Sequence, residues 1–176
     1  MNIANKLTML RVALIPVFLI VLYWGFPFSQ YVALAIFIIA SLTDYVDGYL
    51  ARSRNLVTDF GKFMDPLADK ILVITAMLWF VQTGVLPAWA VAIVILREFA
   101  VSGMRLIAVE KGTVVAAGMS GKVKTVLQMI TIIYACVFQN VLGLVLSIVS
   151  AALTVYSGAE YFFKLRHLFQ KDFGKN

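Results

Sequence analysis

The run "DYVDGYLARSRNLVTDFGKFMDPLADK", Asp44 to Lys70, sets five aspartates close together in a chain of 176 residues that is 62% hydrophobic. Only 14% of the residues are charged, phenylalanine alone numbers 13, and mean hydropathy is +0.93. A soluble domain of this size has no interior large enough for that much apolar surface, so the composition predicts an all-α integral membrane protein. Carboxylates are costly in such a chain, and their density asks for a chemical reason.

Around this run the apolar segments follow one another in order. They cover 10–23, 31–41 (extended through the aspartates to Arg52), 67–81, 86–107, 123–138 and 141–163. A spanning helix needs about 20 residues, so six transmembrane helices fit. The breaks "GFPFSQ" (25–30), "TGVLPA" (83–88) and "FQN" (138–140) hold no Lys or Arg. Lys6, Arg11, Arg52, Arg54, Lys62, Arg105, Lys111, Lys122, Lys124, Lys164, Arg166, Lys171 and Lys175 fall on the other side. By the positive-inside rule, both termini and two loops face the cytoplasm, as in a multi-pass protein of the cytoplasmic membrane. The net charge of +6 then reads as attraction to anionic headgroups and anionic substrates, not as a nucleic-acid footprint. Met1 to Lys6 carries one charge with no small-residue cleavage site after it, so no removable signal peptide is expected. The single Cys136 excludes an intramolecular disulfide and is expected to be a small buried hydrophobe. Residues 1–176 show no repeat and no flexible linker, and are read as one domain.

On this topology Asp44 and Asp47 lie roughly 12 and 8 Å short of the cytoplasmic end of the second helix, at 1.5 Å per residue. Taking Asp44 as zero, helical geometry puts Asp47 at about −60°, Gly48 at about 40°, Ala51 at about −20° and Arg52 at about 80°. One face thus carries two carboxylates, a guanidinium and two residues small enough to let a ligand approach the backbone. That combination suits a metal ion and a phosphate. Asp65 and Asp69, four apart, share a side of the third helix. A plainer reading makes Asp65 an N-cap ahead of Pro66 and pairs Asp69 with Lys70. Asp59 is read as a solvated loop charge. Together Asp44, Asp47, Asp65 and Asp69 carry four negative charges, which two divalent cations would balance. Hard oxygen donors without a nearby His or Cys favour Mg²⁺ or Mn²⁺, and a metal pair clamps a transferring phosphoryl group. His167, the only histidine, falls in the basic tail and is read as solvated.

The pattern Asp44-x2-Asp47-Gly48-x2-Ala51-Arg52-x8-Gly61-x3-Asp65-x3-Asp69 resembles, at each of its fixed positions, the signature of the CDP-alcohol phosphotransferases. The resemblance spans nearly the whole chain, and the six-helix reading agrees with that family's membrane domain. It implies transfer of a substituted phosphoryl group from a CDP-linked donor to an alcohol with release of CMP. "NIANKLTMLR" (2–11) is similar to the opening of members that use CDP-diacylglycerol. By that likeness Asn5, Thr8, Asp47, Gly48, Ala51, Arg52, Thr58 and Gly61 surround the donor. Asp44, Asp47 and Asp65 hold the metals, and Asp69 is the general base that also touches a metal. Helix capping is the plainer reading of Asn5 and Thr8. The resemblance also implies a homodimer.

"LREFAVSGMR" (96–105) and "SGKVKTVLQ" (120–128) carry Arg97, Arg105, Lys122 and Lys124. Four cations converging from two helices suit a phosphate on the acceptor. Glu98 is a candidate partner for the deeper Arg97, although neighbours on a helix point different ways. For Lys122 and Lys124, charge flanking of the membrane is the plainer reading. These strings resemble members whose acceptor is sn-glycerol 3-phosphate. A cardiolipin-forming enzyme using phosphatidylglycerol, or another CDP-diacylglycerol-dependent phosphatidyltransferase, is the alternative. A lipid acceptor would not need this cation cluster. A divalent-cation transporter would need polar groups on both sides of the membrane, and no outward path is visible.

Overall fold

A computed structural model describes residues 3–53, 59–110, 112 and 118–173. These form six helices: α1 (Ile3–Trp24), α2 (Ser29–Ser53), α3 (Asp59–Gln82), α4 (Ala88–Glu110), α5 (Met119–Val137) and α6 (Val141–Phe173). Two stretches, Lys6–Trp24 and Val141–Arg166, are long and apolar enough to cross a membrane. The chain divides into two compact units, one of 1–79 with 132–139 and one of 80–131 with 140–176.

In the first unit α1 packs along α2. The buried stripe of α1 is Thr8, Arg11, Ile15, Phe18 and Leu22, at alternating steps of three and four. That spacing keeps one face of a helix turned to its neighbour. Its counterpart on α2 is Ser29, Ala33, Phe37 and Ala40. Phe18 and Phe37 meet with ring centroids 6.3 Å apart, while Ala33 and Ala40 let the backbones come close. The α1–α2 turn uses left-handed backbone at Gly25 (φ 62°) and Phe28 (φ 69°). The Phe28 carbonyl accepts from Tyr31 and Val32 at 3.0 and 3.2 Å. Tyr23, Trp24, Phe26, Phe28 and Tyr31 are exposed here, and Tyr23 meets Trp79 edge-on at 4.6 Å. Such aromatics populate membrane–water interfaces. Cys136 is buried and unbridged, as expected.

In the second unit α4 packs along α6, with Val101, Ala108, Tyr161 and Leu165 as its core and Met104 beside them. The end of α3 is a Schellman motif. Gly84 (φ 76°) donates to the Val81 carbonyl at 3.1 Å and Val85 to the Phe80 carbonyl at 2.9 Å, which satisfies two carbonyls that the helix end would orphan. Asn140 caps α6, its Oδ1 accepting from the Leu142 amide at 3.1 Å.

Polarity is distributed inside out. Leu96 is 73% and Leu106 72% exposed, whereas Arg11, Glu98, Lys124, Gln128 and Thr154 are buried. In water, so many exposed apolar side chains would drive association. Lipid removes that cost.

Four readings need correction. The third helix starts at Asp59, not near 67, so Asp65 and Pro66 lie inside α3 and Asp65 is not its N-cap. Asp59 is the first residue of that helix instead of a loop charge. Proline does not end the element, which fits the greater tolerance of proline in membrane helices. Thr8 is likewise interior to α1 and buried, so capping does not explain it. Finally, α6 runs ten residues past 163, and its 33 residues span roughly 50 Å, more than a hydrocarbon core of about 30 Å.

Gly84 gives a direct test of the α3 terminus. A Cβ there would meet nothing within 4 Å, so Gly84→Ala isolates the cost of left-handed backbone, about 1 kcal/mol. Thermal unfolding in detergent should register a loss of that size. Unchanged stability would contradict the turn geometry.

Candidate active site

The aspartates sit on continuous helices, which fixes their register. Asp44, Asp47 and Ala51 extend the α2 stripe of Ala33, Phe37 and Ala40 by the same steps of three and four. The positions of the carboxylates therefore belong to the face that packs on α1. On α3, the positions of Asp65 and Asp69 lie within about 60° of buried Leu72 and Ala76. Asp69 itself is half-buried. The side chains of Asn5, Asp44, Asp47, Arg52 and Asp65, with the surroundings of Gly48, Ala51 and Gly61, lie outside the described residues, as does Thr58 altogether. Thr8 is buried on the α1 stripe next to Arg11, which is wholly buried. Arg11 Nε donates to the Ala40 carbonyl at 3.3 Å, one turn before Asp44. Sequence reasoning counted Arg11 only among flanking charges. Its place three residues after Thr8, on the same face, was the available signal.

The other candidate residues lie in the second unit, in and around a buried ion cluster. Glu98 of α4 receives Arg97 Nη1 at 3.3 Å and is bonded by the Lys124 ammonium from α5. The adjacent pair meets despite pointing apart along the helix, because the arginine side chain is long enough to turn back. Arg97 Nη2 also donates to Ser157 Oγ of α6 at 2.7 Å. Lys124 reaches Gln128 Oε1 at 3.2 Å, and Gln128 Nε2 continues to Thr154 Oγ1 at 3.4 Å. Arg105 Nε donates to Tyr161 Oη at 3.0 Å, and its guanidinium carbon stands 5.3 Å from the centre of that ring. Near the start of α5, Glu160 of α6 is bonded by Ser120 and by Lys164 at 2.5 Å. Of the four predicted cations, the structure joins Arg97 and Lys124 through Glu98 and places Arg105 on Tyr161. Lys122 is exposed.

Ser157 and Tyr161 were not anticipated. They belong to a buried row on α6, Ser147, Ser150, Thr154, Ser157 and Tyr161, whose steps of three and four in an apolar helix mark a polar face turned to protein. Space for the guanidinium comes from two glycines. A Cβ on Gly158 would stand 3.0 Å from Arg97 Cγ, and one on Gly121 3.8 Å from Arg97 Nη2.

Buried Lys124 and partly buried Arg97, held by the one carboxylate of Glu98, form a polar cluster whose charge suits an anion. Against known proteins, residues 1–156 match the family model for CDP-alcohol phosphatidyltransferase. The chain belongs to this family. It is 45% identical to the Bacillus subtilis CDP-diacylglycerol–glycerol-3-phosphate 3-phosphatidyltransferase, with 93% of this chain and 94% of the relative aligned. It is 40% identical to the protein of that name from Salmonella paratyphi A, over 91% of this chain and 92% of the relative. A probable phosphatidylglycerophosphate synthase of Mycobacterium tuberculosis is 38% identical over 91% of this chain and 79% of its own length. The match takes in α1 to α5 and about the first half of α6, so it reaches into both units.

The cluster predicts a contrast between neighbouring lysines. Lys124→Met leaves a buried carboxylate short of its ammonium and should cost about 3–5 kcal/mol. Lys122→Met, on the exposed side of the same helix, should stay within about 0.5 kcal/mol of the parent. Thermal unfolding of both variants in detergent checks this, and equal losses would contradict the burial of the pair.

Proposed function

We propose that the chain transfers the phosphatidyl group of CDP-diacylglycerol to sn-glycerol 3-phosphate, giving phosphatidylglycerophosphate and CMP. The observation that carries this is similarity along nearly the full length to relatives bearing that activity in their names. Buried Lys124 and the partly buried Arg97 and Arg105 supply a chemical reason, because this acceptor carries a phosphate. The enzyme is read as a six-span protein of the cytoplasmic membrane, with both termini and the active site on the cytoplasmic side. The uncharged breaks and the one-sided Lys and Arg support that orientation. Family membership favours a homodimer.

The donor set fits a divalent metal pair. Four aspartates stand at steps of three and four along two continuous helices, offer hard oxygens, and bring four charges that two such ions would balance. Asp44, Asp47, Asp65 and Asp69 would hold Mg²⁺ or Mn²⁺. Bound there, the ions would neutralise charge on the diphosphate as the bond to CMP breaks. Asn5, Thr8, Asp47, Gly48, Ala51, Arg52, Thr58 and Gly61 are assigned to the donor. Arg97, Arg105 and Lys124 are assigned to the acceptor's phosphate, with Lys122 at its entrance. The acceptor hydroxyl attacks the β-phosphorus while the Asp69 carboxylate takes its proton. The phosphorus–oxygen bond to CMP breaks and CMP leaves. A carboxylate is a weak base for an alcohol, so positioning and charge stabilisation supply most of the acceleration.

Purified protein given CDP-diacylglycerol and a panel of alcohols should release CMP with glycerol 3-phosphate and not with glycerol, inositol, serine or phosphatidylglycerol. A chelator should stop it. Preferential use of phosphatidylglycerol would make this a cardiolipin-forming enzyme, and full activity in chelator would overturn the metal assignment.

Asp69→Asn separates base from ligand. It should lower turnover by about 100-fold or more while donor binding changes little. If added Mg²⁺ restores turnover, or binding and turnover fall in parallel, Asp69 acts as a ligand and the base lies elsewhere.

A further inference from the structure

We propose that Glu98 is a positioning residue that sets the specificity of the acceptor site for a phosphate dianion. This rests on the reading of Arg97, Arg105 and Lys124 as the groups that receive the acceptor's phosphate. Glu98 is itself buried, and its carboxylate is bonded by cations from two different helices. Burying a carboxylate in an apolar bundle is unfavourable, and a phosphate site has no direct use for a negative charge. Its value lies in what it does to its neighbours.

Arg97 is pinned at two points, by Glu98 through Nη1 and by Ser157 through Nη2. Its Nε is buried and has no hydrogen-bond partner among the described residues. An arginine fixed at both terminal nitrogens has already lost the rotamer freedom that binding a ligand would otherwise remove. Lys124 is fixed in the same way between Glu98 and Gln128. Gly158 and Gly121 leave the guanidinium room on the α6 and α5 sides. Remove the carboxylate, and the buried Lys124 ammonium and the partly buried Arg97 guanidinium repel each other and lose their common anchor.

The charge count points the same way. Arg97, Arg105 and Lys124 bring three positive charges and Glu98 one negative, leaving two in excess. A phosphate monoester carries about −1.5 to −2 at neutral pH, so the site is matched to that group. An uncharged polyol or a carboxylate monoanion would leave cations in low dielectric without a full counter-charge. Glu98 thus favours the phosphate-bearing alcohol over its neutral analogues while touching none of them.

The test is steady-state kinetics of the full chain in detergent–lipid micelles with varied glycerol 3-phosphate and varied CDP-diacylglycerol, using inorganic phosphate as competitive inhibitor. For Glu98→Gln the KM for glycerol 3-phosphate should rise about tenfold or more, and the inhibition constant of phosphate should rise with it. The KM for CDP-diacylglycerol should change less than about twofold, since the donor uses other residues. Glu98→Asp keeps the charge on a shorter arm and should restore part of the loss. Should Glu98→Gln fail to fold, Glu98→Asp carries the test alone: a selective rise in the acceptor KM of about threefold or more supports the assignment. An unchanged or lowered acceptor KM, a parallel rise in both KM values, or Asp no better than Gln would overturn it. Parent protein that does not use glycerol 3-phosphate would instead overturn the underlying reading of the acceptor.

Discussion

The contact that organises the second unit of this molecule is the buried carboxylate of Glu98 between Arg97 and Lys124. In an apolar bundle an unpaired ion costs several kcal/mol, so each member commits the other two to one place. Because Glu98 is on α4, Lys124 on α5 and Ser157 on α6, satisfying these charges ties three helices together. Gln128 and Thr154 extend the same constraint into neighbouring turns. The polar row on α6 then follows as a necessity of packing, and the glycine at 158 leaves room for the Arg97 side chain, where a Cβ would stand 3.0 Å from its Cγ.

The rest of the chain obeys the same economy with the signs of a soluble protein reversed. Among the described residues many leucines, isoleucines and phenylalanines are exposed, Leu96, Leu106 and Phe99 among them, while Arg11, Glu98, Lys124, Thr131 and Ser150 are buried beside an apolar core. Arg11 repeats the rule in the first unit, where its Nε meets a backbone carbonyl of α2 beside the turn that leads to Asp44. An outward apolar surface gives little energy for holding helices together in lipid, so internal polar contacts and small residues take a larger share. Ala33 and Ala40 between α1 and α2 are one instance, and the arginine-to-serine contact between α4 and α6 is another. The groups available for chemistry and those available for cohesion are therefore partly the same.

Much of this was legible in the sequence. Six apolar segments, separated by three short uncharged breaks and two charged ones, became six helices, and the spacing of the aspartates was enough to place the chain in its family. Pro66 after Asp65 imitates a helix N-terminus, which made an N-cap the plainer reading of Asp65. Local propensity lost there to a helix already running from Asp59. The pairing of Arg97 with Glu98 was suspected but discounted on helical direction, which constrains Cβ atoms more than the ends of long side chains. Ser157 and Tyr161 lie 60 and 56 residues from their arginines. No local pattern names such partners, although the stepped serines and threonines of α6 indicated that this face was buried. The fold came from periodicity, whereas the partners of each charge came only from tertiary packing.

The central claim is that the buried cations form a preorganised site for the phosphate of the acceptor. Equilibrium binding of radiolabelled glycerol 3-phosphate to the protein in phosphatidylcholine nanodiscs tests it without any turnover. The account predicts saturable binding that inorganic phosphate displaces and glycerol does not, and that Arg97→Met abolishes. Displacement by glycerol as readily as by phosphate, or undiminished binding to Arg97→Met, would contradict it.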